Sequence, residues 1–551
     1  MIYPEIPLAQ SIIEICKGHH LKHIVISPGS RNAPLTIGFV NNPNFKCYSI
    51  ADERSAAFFA LGIAQQLKEP VALLCTSGSA LLNYYPAVAE AFYSQIPIVI
   101  ISADRPLSKV DIGDGQTIRQ QNVYQNHIIF NANLTEIASS FNDMLINKAL
   151  QEAVLKKGPV HINAPFEEPL YNIVEQKSVS PVIISPHIPA AKVEIHPFVK
   201  TWNNANKKLV LIGVCEPHML NQAIIDYLAN DTTVVVMTEV TSNIHHPNFI
   251  QHIDRFITPF DEVDFNDFQP ELLITFGGMV VSKRIKAFLR KYKPLKQWHI
   301  DIHRHYDTYD SLTDKIITTP NDFFSELFKY TDNSKIGNYR HWALNLAKKR
   351  QIAHQKYVSK IPFSDMEVFQ FIFNNIPNHI QLQISNSASI RYAQLFDLDP
   401  TIEVFCNRGT SGIDGSTSTA IGAAVASKKQ NILITGDISF FYDNNALWNM
   451  YIPPNFKIIL LNNQGGGIFR ILPGHQESPT FNTYFETEHN LNAEHLAKMH
   501  QFDYYNVKDI NSLKTTFSSF ISRNEKPAIF EINTPTKIND TILKEYFKNL
   551  V

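Results

Sequence analysis

The strongest constraint on this chain is an alternation that runs through nearly all of it. Short runs of β-branched and other apolar residues are separated by stretches with helical spacing of apolar positions. Parallel strands need a long return connection, usually a helix, so this pattern dictates parallel sheets covered by helices on both faces. Three series are separable. The first has strands expected at 23–29 (HIVISPG), 71–77 (VALLCTS), 98–104 (IVIISAD) and 159–165 (PVHINAP). The second has 208–214 (KLVLIGV), 232–239 (TTVVVMTE), 272–278 (LLITFGG) and 298–303 (WHIDIH). The third has 380–387 (IQLQISNS), 401–407 (TIEVFCN), 431–437 (NILITGD), 457–463 (KIILLNN) and 528–534 (AIFEINT). Pro165, Pro169, Pro181, Pro186 and Pro189 precede Pro197, so 165–197 reads as an extended linker. A polar helical stretch around 337–358 leads into the last series. The expected architecture is α/β, with three doubly wound parallel-sheet domains at 1–180, 195–335 and 350–551.

Bulk properties narrow the partners. A chain of 551 residues is too long for one core. With 49 Lys and Arg against 51 Asp and Glu, no overall basic field exists to favour nucleic acid or a membrane surface, so small molecules are the expected ligands. Cys16, Cys47, Cys75, Cys215 and Cys406 are odd in number, scattered and free of CxxC spacing, which argues against a disulfide framework or a zinc site. The opening MIYPEIPLAQ lacks a basic segment followed by an apolar one, and apolar stretches such as 96–101 (IPIVII) are strand-sized. A soluble, cytoplasmic protein is expected.

In open parallel sheets ligands sit beyond the carboxyl ends of the strands. Three strands of the third series run directly into NSAS, NRGTSGIDG and GD. Asp437 closes one strand as Gly436-Asp437, and the next closes as Asn462-Asn463-Gln464-Gly465, with Asn463 lying 26 residues after Asp437. A hard cation such as Mg²⁺ prefers oxygen ligands. The Asp437 carboxylate, the Asn463 amide oxygen and a backbone carbonyl at Gly465 are such ligands, and phosphate oxygens would complete the set. Either motif alone is an ordinary polar turn. Together, one βαβ unit apart, they resemble the thiamine diphosphate signature. The chain departs from it at Ile438, where many relatives have a second glycine.

Longer strings make the resemblance specific: SPGSRNAPL (27–35), DERSAAFFALG (52–62), CTSGSALLNYYPAVAEA (75–91), SADRP (102–106), NRGTSGIDG (407–415) and NNQGGGIFRILP (462–473). These resemble the 2-succinyl-5-enolpyruvyl-6-hydroxy-3-cyclohexene-1-carboxylate synthase family, from about residue 20 to 475 with a weaker middle. Gln464 stands where relatives commonly have a third asparagine. The resemblance implies thiamine diphosphate with Mg²⁺ or Mn²⁺, 2-oxoglutarate and isochorismate as substrates, a step of menaquinone biosynthesis, and a homodimer or dimer of dimers. It implies that Glu53, otherwise an acidic helix start of the usual kind, is the carboxyl group beside the aminopyrimidine nitrogen. Ile413 would support the bend between the cofactor rings, with Gly436 and Ser439 also against the cofactor. Asp437, Asn463 and Gly465 would hold the metal, and Ile468, Phe469 and Leu472 would form an apolar wall.

Two substrates with two carboxylates each demand several cations. Arg31, Arg105, Lys283, Arg284, Arg391 and Arg408 all lie at or just beyond expected strand ends. By resemblance, Ser387, Arg391 and Arg408 would hold the 2-oxoglutarate-derived part, while Arg31, Gln116, Lys283 and Arg284 would orient isochorismate. Another thiamine diphosphate-dependent 2-oxo acid decarboxylase or carboligase is the alternative reading.

Overall fold

The computed structural model describes residues 2–185, 193–332, 335–471, 474 and 476–551. Three parallel sheets carry the architecture. The first is six-stranded, in the order Lys46–Ser49, His23–Ile26, Val71–Cys75, Ile98–Asp104, Val160–Pro165, Phe130–Asn133. The middle sheet has five strands, ordered Val234–Met237, Lys208–Ile212, Leu272–Phe276, Lys296–Ile300, Asp314–Ile316. The third has six: Glu403–Phe405, Gln381–Ile384, Asn431–Gly436, Lys457–Asn462, Ala528–Asn533, Asp503–Val507. An antiparallel pair, Tyr3–Pro4 with Ile173–Val174, ties the start of the chain to the end of the first unit. No helix among the described residues is long and apolar enough to cross a membrane.

Central strands such as VALLC (Val71–Cys75), KLVLI (Lys208–Ile212) and KIILLN (Lys457–Asn462) are buried at every position. That is the expected consequence of helices on both faces, and it explains their uninterrupted apolar runs. Within the three parallel sheets, four strands were not expected from the sequence: Lys46–Ser49, Phe130–Asn133, Asp314–Ile316 and Asp503–Val507. Each is a sheet edge. An edge strand has one neighbour and more water, so residues such as Lys46, Asn131 and Asp503 are tolerated and the apolar signal disappears.

The first and third sheets share one topology. In each, the first strand has the second on one side and the third on the other, so the chain reverses direction across the sheet between strands one and three. A crevice opens at such a reversal, beyond the carboxyl ends. In the third sheet it falls between the exits of Gln381–Ile384 and Asn431–Gly436, where Ser387 and Asp437 stand. In the first it falls between the exits of His23–Ile26 and Val71–Cys75, next to Arg31.

These two units also share one core, in which Val25, Phe59, Leu73 and Tyr84 join Ile421, Leu433 and Ile458. The Glu53–Leu67 helix crosses the Ser416–Ala426 helix at contact distance. A side chain on Gly62 would meet the Thr419 carbonyl oxygen at 2.1 Å, and one on Gly422 would meet that of Phe59 at 2.0 Å. Glu90 adds a polar tie: its carboxylate accepts from Gly409 N at 2.7 Å and from the Thr410 hydroxyl at 2.9 Å, just after Arg408. The central unit is fastened to the third by Asn243, whose amide accepts from Val404 N at 2.8 Å and donates to its carbonyl at 2.9 Å.

Candidate active site

Asp437 starts the Asp437–Tyr442 helix and is 3% exposed. Its Oδ1 accepts from Ile438 N at 2.7 Å and its Oδ2 from Gly465 N at 3.0 Å, so the two glycine-flanked strand ends meet directly. Asn463 turns its amide nitrogen to Asp365, donating to Oδ2 at 2.9 Å. A carboxylate only accepts, which fixes the amide orientation and leaves Asn463 Oδ1 for a ligand. Asp365 is held in turn: its own N–H donates to Asn539 Oδ1 at 2.9 Å, and the Thr534 hydroxyl donates to its Oδ1. Burial pushes the Asp365 carboxyl up to about 6.

Gly465 has no room for a side chain, since a Cβ there would lie 2.9 Å from the Glu486 carbonyl oxygen. His489 reaches the same place, with Nε2 3.4 Å from Asp437 Oδ2. Its Nδ1 accepts from Leu491 N at 3.1 Å, which puts the ring proton on Nε2, towards Asp437. No group of three or more His, Cys, Asp or Glu able to hold a metal gathers among the described residues. One carboxylate, one amide oxygen and glycine backbone form the oxygen-rich, partly neutral set that suits a hard cation already carrying phosphate ligands. The residues therefore fit Mg²⁺ with a diphosphate.

Ser439 donates to the Ile413 carbonyl at 2.6 Å, tying the glycine-rich turn to the Asp437 helix. A Cβ placed on Gly436, the last residue of its strand, would meet only Ser389 Oγ, at 3.9 Å. Ile468 is half-buried and Phe469 is 36% exposed, on the short Gly467–Ile471 turn. A buried Arg470–Glu486 ion pair pins that turn to the Asn482–Glu486 segment. Leu472 lies outside the described residues.

Across the crevice, Arg408 Nη1 donates to Asn386 Oδ1 at 2.7 Å, while Asn386 Nδ2 donates to the Asn407 and Gly412 carbonyls, each at 2.7 Å. Arg391 Nη1 donates to the Ser387 carbonyl at 2.6 Å, and Ser387 holds a left-handed φ of 70°. Burial, then the nearby Arg408 charge, lowers the Arg391 pKa. Arg408 Nε is buried without a hydrogen-bond partner. Two guanidinium groups near enough to act on each other, one with an unused buried donor, can receive a carboxylate, and Asp254 is the acid that already acts on Arg391.

Lys283 and Arg284 open the Lys283–Lys291 helix, capped by Ser282, and both are exposed. The Arg284 guanidinium lies 4.5 Å from the centre of the Phe547 ring. Two residues that no sequence motif marks stand behind them. Glu239 accepts from Val281 N at 2.7 Å and Ser282 N at 2.8 Å, and burial pushes it up to about 7. Lys286, one helical turn after Lys283, is half-buried; burial lowers its pKa, and Glu239 and Arg408 are among the charges it feels. An i, i+3 basic pair was the only available signal for it.

On the first sheet, Arg31 is 3% exposed and already engaged, donating to the Phe166 carbonyl at 3.0 Å and pairing with Glu168 at 3.3 Å. Arg105 pairs with Asp114 at 3.3 Å and keeps a buried Nε without a hydrogen-bond partner. Gln116, at φ 54°, packs its backbone over the Gly78 turn. Glu53 begins its helix beside the cap Asp52, which accepts from Ser55 N at 3.0 Å. Burial raises the Glu53 pKa and Asp52 adds to that, against a backbone hydrogen bond that lowers it. Among the described residues no hydrogen bond or ion pair joins Arg31, Arg105 or Gln116 to Ser387, Arg391 or Arg408.

Comparison with known proteins matches three family models. The N-terminal TPP binding domain of thiamine pyrophosphate enzymes matches residues 6–132, their middle domain 182–384, and their C-terminal TPP binding domain 387–532. The chain is 64% identical to the 2-succinyl-5-enolpyruvyl-6-hydroxy-3-cyclohexene-1-carboxylate synthase of Flavobacterium psychrophilum, with all of both chains covered. It is 62% identical to the enzyme of the same name from Flavobacterium johnsoniae, again over the whole of both chains, and 50% identical to that of Christiangramia forsetii over 99% of each.

Proposed function

The chain belongs to the 2-succinyl-5-enolpyruvyl-6-hydroxy-3-cyclohexene-1-carboxylate synthase family of thiamine pyrophosphate-dependent enzymes of menaquinone biosynthesis, and from that premise we propose that it joins decarboxylated 2-oxoglutarate to isochorismate. Thiamine diphosphate, when bound, supplies the electron sink that lets a 2-oxo acid lose CO₂ and attack an electrophile. The protein supplies position, charge and exclusion of water. Asp437, Asn463 Oδ1 and the Gly465 backbone would hold Mg²⁺ or Mn²⁺, which would neutralise the charge of the diphosphate. Gly436 and Ser439 keep the surrounding backbone close, and Ile413 would support the cofactor between its rings. Glu53, whose pKa burial raises, would stand beside the aminopyrimidine nitrogen, where a carboxyl group can exchange a proton with it.

Arg391 and Arg408, with Ser387, receive the carboxylates of 2-oxoglutarate. Arg31, Gln116, Lys283 and Arg284 orient isochorismate from the first and central units, and Arg105 is a further cation of the site. Ile468, Phe469 and Leu472 exclude water from the reacting carbon. The five unpaired cysteines support a cytoplasmic setting. The observation that carries the substrate reading is the Arg391–Arg408 pair with its buried, unused Arg408 Nε, set at the same chain reversal as Asp437. Pure protein incubated with thiamine diphosphate, Mg²⁺, 2-oxoglutarate and isochorismate should yield the joined product, identified by mass. CO₂ release indifferent to isochorismate, with no joined product, would instead mark a simple 2-oxo acid decarboxylase.

A further inference from the structure

Where the central unit, the Tyr339–Val358 helix and the third unit meet, there is a cavity of about 190 Å³ that the chemistry above does not use. Its walls are divided. Phe249 and Phe256 are apolar, while Arg255, Arg350 and His252 present donors. Both arginines are only 6% exposed. A guanidinium removed from water is strongly disfavoured unless an anion or a full set of acceptors replaces its hydration.

That replacement is incomplete here. Arg255 hydrogen-bonds two neutral groups, the Leu395 carbonyl at 3.3 Å and the Tyr546 hydroxyl, and feels the Asp397 carboxylate only as a nearby charge. Arg350 donates through Nη1 to the Leu550 carbonyl at 2.6 Å, its Nη2 is 4.0 Å from Asp264, and its Nε is buried without a hydrogen-bond partner. Asp397, the acid on the lining, has both oxygens engaged, accepting from His252 Nε2 at 2.6 Å and from Gln351 at 3.2 Å. The other nitrogen of His252 faces the Gln394 carbonyl at 2.9 Å. With acceptors on both sides, only the imidazolium satisfies both contacts. Burial and Arg255 oppose that charge, Asp397 and the Gln394 carbonyl favour it, and the balance still lowers the His252 pKa, so a further anion in the cavity would add to the favourable side.

We propose that this cavity binds a small organic carboxylate, its charge between Arg255 and Arg350 and its carbon body against Phe249 and Phe256. The apolar walls favour such a ligand over an inorganic ion, and the enclosed arginines favour it over a neutral one.

The full chain, loaded with thiamine diphosphate, is titrated by calorimetry with benzoate, succinate and phosphate. An Arg408→Ala background removes binding at the catalytic arginines. In that background at least one of the two carboxylates should still bind, and adding Arg350→Gln should weaken it by roughly tenfold or more, the effect of losing one charged hydrogen bond. Ala347→Phe, which fills the cavity from the helix and keeps both arginines, should abolish it. Thermal melting of each variant reports whether it is folded. Absence of carboxylate binding to the wild type overturns the proposal, as does undiminished binding to folded Ala347→Phe. Tighter binding of phosphate than of either carboxylate overturns the assignment of ligand class.

Discussion

An amide side chain can offer a metal its oxygen or turn its N–H groups that way, and at Asn463 the choice is made by Asp365 through a 2.9 Å hydrogen bond. Asp365→Ala removes the acceptor that fixes the amide, so metal-dependent thiamine diphosphate affinity should fall roughly 10- to 100-fold, as for other groups that orient a metal ligand. Calorimetry at fixed Mg²⁺ checks this, and an unchanged affinity would remove Asp365 from that role. Glu239 makes a prediction about pH. Its folded pKa of about 7 lies above the ordinary glutamate value of 4.5 because burial disfavours the charge. The folded chain therefore holds a proton that the unfolded chain has lost between those values. The corresponding stability is fully present below about 4.5 and is lost as pH rises through about 7. Glu239→Gln lacks this titration, so the wild-type melting temperature should fall relative to the variant over that window. Parallel profiles would show that Glu239 titrates no higher in the folded chain than in the unfolded one. Asp365, Glu239 and His489 were not legible in the sequence, since each is a lone polar residue far along the chain from the group it serves. The placement of Asp437 and Asn463 at neighbouring strand ends was legible because the two motifs stand one βαβ unit apart, whereas either alone reads as a polar turn.

At the scale of elements, every interior strand of the three parallel sheets stood out, as did the apolar edges Val234–Met237 and Glu403–Phe405, and the four that did not were edges whose composition solvent relaxes. The helix at 51–67 was also visible from its apolar spacing, and the structure starts it at Glu53. Its partner was not. Nothing in the spacing of Ser416–Ala426 says that Gly422 touches the Phe59 backbone, because a glycine in a helix carries no apolar signal. That crossing is the weak point of the shared core. Gly422→Val must push the helices apart or strain them, so overpacking should cost about 1–3 kcal/mol. Cofactor affinity should drop with it, because Glu53 heads one of the two helices. Urea unfolding and thiamine diphosphate titration on the same preparation test both parts, and full stability in the variant would show that the helices can separate freely.

For the whole molecule, the decisive fact is where one chain spends the residues around its own Glu53. Asp52 Oδ2 accepts from Asn445 at 2.7 Å, and Arg54 donates to the Tyr442 carbonyl at 2.8 Å. Both partners lie at or beyond the far end of the helix that Asp437 begins, about 7.5 Å along its axis at 1.5 Å per residue. Glu53 is thus fastened behind the metal end of its own third unit. The matching topologies of the first and third sheets allow a second copy to face that end instead, across a two-fold axis, and we infer a homodimer with shared sites. Mixing tests it. Glu53→Gln and Asp437→Ala chains, each inactive alone, are gently unfolded and reassembled together. In a mixed dimer with shared sites, one site carries both lesions and the other neither, so each mixed dimer should recover one working site of two. If every chain builds its own site, each site in the mixture keeps a lesion. Verified mixed dimers without recovered activity would therefore place Glu53 and Asp437 of one chain in one site, and the second copy would have no part in the chemistry.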